Sequence, residues 1–589
     1  MNADTFFLQG LSINLPEEYQ GTIAGYNQSS TPQPEYAIAY LQQGMTLCNE
    51  LQDYQAAIAD LNRAIKLNPE LAEAYYYRGF ARYCLADYAG AIADYHQVLQ
   101  INSTITGAYY YRAQAYFALG KYNQAIADYI HTIEVNPELA TDIHIDIAHA
   151  YYHRGVGLAA QGNYQEAIST FQTALQWHPY LAAVYSSRGN VYYELGEYRQ
   201  AIADHERTIQ LDPSLVEAYQ NRGNAHYALG DYDAAIADYN RTIELDPNFA
   251  TAYYNRGVIH SRLQVYDLAL QDLNQAIHLN PEDAQAYTER GLIREVEENY
   301  QGAIADYSQA LQLDPTLALV YGFRANIRRQ IGDYPGALAD SEQLVALCPN
   351  FAAGYCDRAT IRRHLGDYQG AIADYNQALQ LDAELIEAYY GRAIVYETLQ
   401  DFLGAIADNT QVIKFAPDFA PSYCNRGNAR RQLGDHRGAL ADYNQALAIN
   451  PQLLEAYYNR AIWHYEKQDY QGAIVDYTKA IEINPDSALL YSQRANTYYA
   501  LQDYYHAISD YSQAINLDPY EAEDWYNRGR SYTQLQNYPA ALADLNEALE
   551  HQPYSAPAYL LRAEVRQKLG DTEGAIRDLE KYANLHHSI

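Results

Sequence analysis

Three pairs of adjacent arginines are prominent in this strongly acidic sequence, because each pair offers two guanidinium groups side by side. A guanidinium can donate two parallel hydrogen bonds to one carboxylate. The 589 residues include 39 lysines and arginines against 73 aspartates and glutamates, so the formal net charge is -34. The pairs predict a site for an acidic peptide or a carboxyl terminus; the alternative is that the first arginine of each pair binds acids on adjacent helices. The pairs are Arg328 and Arg329, Arg362 and Arg363, and Arg430 and Arg431.

The charge and composition of the chain limit its partners. An excess of acidic residues opposes general binding to nucleic acid and to anionic membranes. No apolar run approaches the ~18 residues of a membrane span. The five cysteines lack Cys-x-x-Cys spacing, and the first ten residues, MNADTFFLQG, contain no lysine or arginine and do not resemble a secretory signal. We therefore expect a cytoplasmic protein with a protein or peptide partner, without nucleic acid and without membrane insertion.

The sequence offers little chemistry beyond binding. It contains no phosphate-binding loop, no Gly-x-Ser-x-Gly motif and no zinc-protease helix. His149 and His153 are four residues apart with Asp146 one helical turn before them, but further metal ligands are not identifiable. The sequence therefore predicts no enzyme activity, no metal and no cofactor.

An alanine recurs at one register along almost the whole sequence. Every step between consecutive alanines is 34 residues, except for one step of 42 between Ala125 and Ala167. A fixed period in this range indicates stacked repeats rather than one globular core. The alanines are Ala57, Ala91, Ala125, Ala167, Ala201, Ala235, Ala269, Ala303, Ala337, Ala371, Ala405, Ala439, Ala473, Ala507, Ala541 and Ala575.

Each repeat has the pattern of two short helices. In the repeat that starts at residue 216, Gly223 at position 8 and Ala235 at position 20 leave room where two helices touch. A Leu-Gly-Asp-Tyr turn, from Leu229 to Tyr232, ends one helix and begins the next. Two helices of about 13 residues cannot bury their own apolar faces. Each repeat therefore depends on its neighbours for stability.

This pattern resembles the tetratricopeptide repeat family. Tyr219, Gly223, Ala235, Tyr239 and Pro247 stand at positions 4, 8, 20, 24 and 32, where the family has an aromatic, a small residue, an alanine, an aromatic and a proline. The resemblance implies an all-α fold, an α-α superhelix of antiparallel helix pairs. In this family the first helices line a concave groove that binds peptides and partner proteins.

The resemblance extends from about residue 34 to the end of the sequence and implies sixteen repeats, which we number in chain order. We expect residues 1–33 to form an N-terminal lead that is either loose or docked as a cap. Repeats 1 to 3 are expected within residues 34–137, and repeat 4, with an eight-residue insertion, within residues 138–179. Repeats 5 to 16 are expected within residues 180–589.

Two positions depart from the family pattern in a regular way. Position 7 is arginine in fifteen repeats, and position 23 is aspartate in fifteen repeats. Equal numbers of opposite charges at fixed positions predict a structural ladder of ion pairs, either within one repeat or between neighbours.

Positions 5, 9 and 12 of the first helices are expected to face the groove. Rigid aromatic side chains there suit contact with a partner, although they can also simply fill the groove. Asparagines at positions 6 and 9 are similar to groove asparagines by which some family members hold a peptide backbone. The lysines at positions 2 and 5 that the family's two-carboxylate clamp requires are absent. The candidate residues are Tyr193, Tyr227, Tyr465 and Tyr499 at position 12, and Asn221, Asn255, Asn425 and Asn459 at position 6.

These features together predict a non-enzymatic scaffold, or an adaptor in assembly, that binds a partner in the groove. The alternative is a mainly architectural solenoid that associates with itself, and we expect a monomer or weak self-association. Residues present in every repeat cannot define one particular ligand site. The informative residues are therefore those that differ between repeats, above all the arginine pairs of repeats 9, 10 and 12.

Overall fold

The computed structural model describes residues 34–586, which fold into α-helices and one short 3₁₀ helix, Pro137–Leu139. No β-strand occurs in this described range. The all-α prediction is therefore confirmed. The expected lead, residues 1–33, lies outside the described residues.

Thirty-two α-helices follow one another in pairs, one pair for each predicted repeat. Odd-numbered helices are the first helices of the repeats, and even-numbered helices are the second. In chain order they are α1 Pro34–Asn49, α2 Tyr54–Leu67, α3 Ala72–Cys84, α4 Tyr88–Ile101, α5 Thr106–Ala118, α6 Tyr122–Val135, α7 Ala140–Ala160, α8 Tyr164–Trp177, α9 Ala182–Glu194, α10 Tyr198–Leu211, α11 Val216–Ala228, α12 Tyr232–Leu245, α13 Ala250–Arg262, α14 Tyr266–Leu279, α15 Ala284–Val296, α16 Tyr300–Leu313, α17 Ala318–Gln330, α18 Tyr334–Leu347, α19 Ala352–His364, α20 Tyr368–Leu381, α21 Ile386–Thr398, α22 Phe402–Phe415, α23 Ala420–Gln432, α24 His436–Ile449, α25 Leu454–Glu466, α26 Tyr470–Ile483, α27 Ala488–Ala500, α28 Tyr504–Leu517, α29 Ala522–Gln534, α30 Tyr538–His551, α31 Ala556–Lys568 and α32 Thr572–His586.

Local sequence fixes where each helix begins and ends. After α19, Gly366 has a φ of +79°, in the left-handed region that glycine adopts without steric cost. The side chain of Asp367 then caps α20 by accepting a hydrogen bond of 3.0 Å from the backbone N–H of Gly370. The second helix ends at an extended residue, Asp382, before the next repeat begins. The turn motif in the sequence is thus a helix stop followed by a helix start.

Small residues allow the two helices of a repeat to touch. A Cβ atom added to Gly223 would lie 2.8 Å from the ring of Tyr239, which is closer than ordinary packing allows. Ala235 on α12 is fully buried in the same contact zone. Position 8 therefore sets how closely each first helix approaches its second helix.

The helices group into two compact units, Met1–Ile293 and Arg294–Ile589, with the boundary inside α15. The first unit contains repeats 1 to 7 and most of α15. The second contains the remainder of repeat 8 and repeats 9 to 16. Within each unit, the first helices of several neighbouring repeats contact one another.

The 42-residue step corresponds to one long helix in the first unit. Helix α7 has 21 residues, whereas the first helices of repeats 2 and 3 have 13 each. The preceding 3₁₀ helix, Pro137–Leu139, connects α6 to α7. The extra turns of α7 carry Asp146.

Candidate partner-binding faces

The arginine at position 7 pairs with the aspartate at position 23 of its own repeat. Arg222 donates from Nε and Nη2 to the two carboxylate oxygens of Asp238, at 2.9 and 2.6 Å. Its guanidinium also lies 5.8 Å from the ring centroid of Tyr219, at position 4. Asp238 is only 4% exposed, so this carboxylate depends on its arginine.

The same arginines also connect neighbouring repeats. Arg324 pairs with Asp340 inside repeat 9, and its Nη1 donates to Ser308 Oγ of repeat 8 at 2.9 Å. Arg460 likewise pairs with Asp476 and donates to Asn444 of the preceding repeat at 2.6 Å. The ion pairs of the ladder lie within repeats, and neutral hydrogen bonds extend it from one repeat to the next.

The first arginine of each predicted pair joins this ladder. Arg328 donates from Nη1 to Asp340 Oδ2 at 2.8 Å and to the carbonyl oxygen of Gly336 at 3.2 Å. Arg362 and Arg430 repeat this arrangement with Asp374 and Asp442, each at 2.8 Å. Each of these aspartates therefore binds two arginines. The guanidinium groups at position 11 are thus already paired inside their own repeats.

We use the name groove face for positions 5, 6, 9, 12 and 13 of the first helices in each unit, the side of these helices that is expected to line the groove. Hydrogen bonds between repeats run across it in the first unit. Asn221 donates to Asn190 Oδ1 at 3.0 Å, and Asn255 donates to Asn224 Oδ1 at 2.9 Å. These two candidate asparagines thus bind other asparagines from one first helix to the next.

The candidate asparagines of the second unit have different partners. Asn459 donates to the Sγ of Cys424 at 3.6 Å. Asn425 is hydrogen-bonded to Tyr390, an interaction that partly offsets the burial that raises the pKa of Tyr390. The structure therefore does not join the four asparagines into one continuous row.

The second arginines of the predicted pairs lie on the groove face of the second unit. Arg329 donates to Asn326 Oδ1 at 2.8 Å, and Arg363 contacts the His364 ring at 3.3 Å. Among residues 34–586 neither forms an ion pair, and Arg363 Nε is buried without a hydrogen-bond partner. Arg431 differs, because it forms an ion pair with Glu466 of the next repeat.

Two titratable side chains, His364 and Asp357, respond to the charges of these arginines. Desolvation lowers the pKa of His364, and the charges on Arg363 and Arg329 lower it further, so this imidazole resists protonation. The His364 ring stacks on Tyr334, with 4.9 Å between ring centroids. Asp357 is the carboxylate nearby, and desolvation raises its pKa despite the opposing effect of Arg329.

The candidate tyrosines at position 12 pack against the first residue of their own second helix. Ring centroids are 5.4 Å apart for Tyr193 and Tyr198 and 5.5 Å apart for Tyr465 and Tyr470. Such edge contacts fix the orientation of the rings. Tyr499 and Tyr504 also meet edge to face, with 5.4 Å between centroids, whereas Tyr227 and Tyr232 are tilted by 37° at 5.9 Å.

Two further arginines lie against these tyrosines, and the sequence analysis missed them. The Arg262 guanidinium is 5.0 Å from the Tyr227 ring centroid in the first unit. In the second unit, Arg530 is 4.5 Å from the Tyr499 ring centroid and 5.7 Å from that of Tyr526. Each is a single arginine, Arg262 at position 13 and Arg530 at position 9 of a first helix. The pattern of adjacent arginines therefore does not include them.

The described residues, 34–586, offer neither a metal site nor a membrane span. No group of three or more potential metal ligands clusters there. Across the same residues, every helix is too short or too polar to span a bilayer.

Family models match long stretches of this sequence. A model described as "TPR repeat" matches residues 46–85, 189–230, 223–264, 359–400 and 463–502. Models described as "Tetratricopeptide repeat" match residues 104–177, 158–203, 254–318, 420–453, 488–521 and 522–555. The matches span more than half of the chain, which therefore belongs to the tetratricopeptide repeat family. Membership supports a protein-interaction scaffold in general, in a family that is typically non-enzymatic.

Several solved structures match parts of this chain. The chain is similar to MamA, with 25% identity over 27% of this chain and 94% of that one, at a TM-score of 0.27. The APC/C hetero-tetramer Cut9-Hcn1 matches 84% of this chain and 96% of its own with 17% identity and a TM-score of 0.35. A tetratricopeptide repeat protein from Parabacteroides merdae matches 42% of this chain and 98% of its own, with 19% identity and a TM-score of 0.32. No curated protein sequence matches significantly.

Proposed function

We propose that this protein is a non-enzymatic scaffold that binds an acidic segment of a partner protein on the groove face of its second unit. Arg329 and Arg363 are the anchoring side chains. The partner contributes carboxylates, from acidic side chains or from its carboxyl terminus, to guanidinium groups that have no carboxylate of their own.

The observation that carries this proposal is the contrast between neighbouring arginines. Arg358 and Arg362, on the same helix as Arg363, both bind Asp374. Arg363 forms no ion pair with any described residue, although acids outnumber basic residues 73 to 39 in the chain. A guanidinium left unpaired in so acidic a protein is suited to a carboxylate from outside.

The surroundings of the two arginines favour an acidic ligand. Burial lowers the pKa of His364, and the charges on Arg363 and Arg329 lower it further, so this imidazole stays neutral beside them. Tyr390, in the next repeat, provides an aromatic surface on the same groove face, packed against Phe419 with 5.2 Å between ring centroids. Rigid aromatic side chains beside charged anchors are typical of protein-binding surfaces.

The test uses labelled peptides and fluorescence anisotropy. Ten-residue peptides of alternating glycine and glutamate, with a free or an amidated carboxyl terminus, distinguish side-chain from terminal carboxylates. We expect the double variant Arg329→Gln and Arg363→Gln to weaken binding by at least about tenfold, equivalent to ~1.4 kcal/mol.

The matched control removes two positive charges elsewhere in the same unit. Arg437 and Lys467 are exposed and lie outside the groove face. The double variant Arg437→Gln and Lys467→Gln should therefore bind almost as well as the wild type. Equal weakening in both double variants would show that only net charge matters and would overturn the proposal.

A further inference from the structure

Arg530, on α29, lies against two tyrosine rings of the second unit. Its guanidinium carbon is 4.5 Å from the ring centroid of Tyr499, on α27, and 5.7 Å from that of Tyr526, one turn earlier on its own helix. Arg530 is the only arginine at position 9 in the sixteen repeats. The arrangement is therefore particular to repeat 15 and is not part of the repeated framework.

Arg530 has no carboxylate partner within residues 34–586. Its one hydrogen bond to a described side chain goes from Nη1 to the neutral amide oxygen of Asn527, at 3.2 Å, although a guanidinium carries five N–H donors. Asp524, on the same helix, accepts a hydrogen bond from Ser492 instead. Glu564, at position 9 of the next repeat, is exposed and forms no ion pair with Arg530. Donors of this guanidinium are therefore free to bind a carboxylate from outside.

A neighbouring arginine shows that contact with an aromatic ring and binding of a carboxylate are compatible. Arg528 lies 4.9 Å from the ring centroid of Trp525. It also donates from Nε and Nη2 to the two carboxylate oxygens of Asp544, each at 2.8 Å. Stacking on a ring uses the face of a guanidinium, whereas its N–H groups lie in its plane. Arg530 has the aromatic part of this arrangement and lacks the carboxylate.

We propose that Arg530, held against Tyr499 and Tyr526, is a second carboxylate-binding subsite on the groove face. Its occupant is a carboxylate of the same acidic partner segment that Arg329 and Arg363 anchor, so this inference rests on the proposed function and extends it. Repeats 10 and 15 both belong to the second unit. The segment therefore runs along the groove face from repeat 10 to repeat 15.

The separation of the two sites sets the length of the segment. Arg363 and Arg530 stand five repeats apart. With first helices about 10 Å apart, the sites are on the order of 50 Å from each other. An extended chain covers about 3.3 Å per residue, so the segment needs at least about 15 residues to reach both sites. A ten-residue peptide reaches only one of them.

The test compares two labelled peptides of alternating glycine and glutamate, one of ten residues and one of thirty, by fluorescence anisotropy. We expect Arg530→Gln to weaken binding of the thirty-residue peptide by at least about tenfold, because it removes one of two linked contacts. The affinity for the ten-residue peptide should change by less than about twofold. The matched control is Arg437→Gln, which removes the same charge from an exposed site outside the groove face and should leave both affinities almost unchanged.

A second variant keeps the test decisive if Arg530→Gln folds poorly. Thr533→Glu places a carboxylate three residues after Arg530 on α29, a spacing that suits an ion pair on a helix. It should occupy the guanidinium from within and weaken binding of the thirty-residue peptide by about fivefold, with little effect on the ten-residue peptide.

The outcomes separate this inference from the proposed function. Absence of binding to either peptide, or binding that does not depend on Arg329 and Arg363, would overturn both. Binding of the ten-residue peptide through Arg329 and Arg363, together with equal effects of Arg530→Gln and Arg437→Gln on the thirty-residue peptide, would overturn the Arg530 subsite alone.

Discussion

At the scale of single residues, the ion-pair ladder shows how one side chain depends on its neighbours. Asp340 is only 3% exposed and binds both Arg324 and Arg328. Asp408, in repeat 11, is equally buried but binds Arg392 alone, because Tyr396 occupies position 11 there. The cost of losing an arginine should therefore differ between repeats.

This difference gives the first prediction. Arg324→Leu leaves Asp340 paired with Arg328 and should lower the free energy of unfolding by only about 1 kcal/mol, whereas Asp340→Leu leaves two guanidiniums uncompensated and should cost about 3 to 5 kcal/mol. Arg392→Leu is the comparison, because it leaves Asp408 without an ion-pair partner. It should lower the free energy of unfolding more than Arg324→Leu does. Chemical denaturation measures all three, and similar losses for Arg324→Leu and Arg392→Leu would contradict the interpretation.

Asp524 is a second residue-scale case. It occupies position 3 of repeat 15, is 2% exposed and accepts a hydrogen bond from Ser492. Burial is the largest cause that raises the pKa of Asp524 to about 6, and Glu521, Glu523 and Asp518 add to it. Because the folded state holds this proton more tightly than the unfolded state, Asp524 makes the protein less stable as pH rises from about 4 to 6.

The prediction is that Asp524→Asn stabilises the protein above pH 6 by about 1 to 3 kcal/mol and has little effect near pH 4. Thermal unfolding at both pH values measures it. Asp382→Asn is the matched control, since Asp382 is exposed, its charge does not contribute to the shift of Asp524, and other repeats have asparagine at this place, as at Asn280. A gain for Asp524→Asn that is the same at pH 4 and pH 8 would contradict the proposed role of the buried charge.

At the scale of the helices, the turns between the two helices of a repeat differ in the residue that adopts a positive φ. Gly366 and seven other glycines adopt a positive φ after a first helix, but eight repeats place another residue there, such as Gln400 at +60°. A side chain is strained in this left-handed conformation, whereas glycine is not.

Exchanging the two residue types should therefore have opposite effects. Gln400→Gly should raise the free energy of unfolding by about 0.5 to 1 kcal/mol, and Gly366→Gln should lower it by about 1 kcal/mol. A Cβ at Gly366 would meet nothing within 4 Å, so any loss reflects backbone conformation rather than a clash. Equilibrium denaturation of the single variants measures both, and a loss in Gln400→Gly would refute this account.

At the scale of the whole molecule, charge governs association. The net charge of -34 on a 66.7 kDa chain produces mutual repulsion between copies, which salt screens over a Debye length of about 8 Å at physiological ionic strength. We expect static light scattering at low salt to give 66.7 kDa at every protein concentration. A mass that rises with concentration under these conditions would favour the architectural, self-associating alternative instead.

The sequence by itself determined the repeat and its helices. A helix stop such as Gly366 and a cap such as Asp367 act through bonds to the backbone three or four residues away, so they can be read directly. Alanine recurs at position 20 of every repeat and glycine or alanine at position 8 of repeats 2 to 16, so the pairing of the helices could also be predicted. The division of residues 1–589 into a lead, three repeats, a long repeat and twelve repeats remains a prediction.

Only the tertiary structure decided which charged residues form ion pairs with one another. Arg362 and Arg363 are adjacent in sequence, yet Arg362 turns to Asp374 on the second helix while Arg363 stays on the groove face without a carboxylate. Asp146 meets Tyr110 from 36 residues away, because the extra turns of α7 carry it over repeat 3. Local sequence fixes backbone conformation through short-range bonds, whereas the partner of a long charged side chain depends on how neighbouring helices are placed.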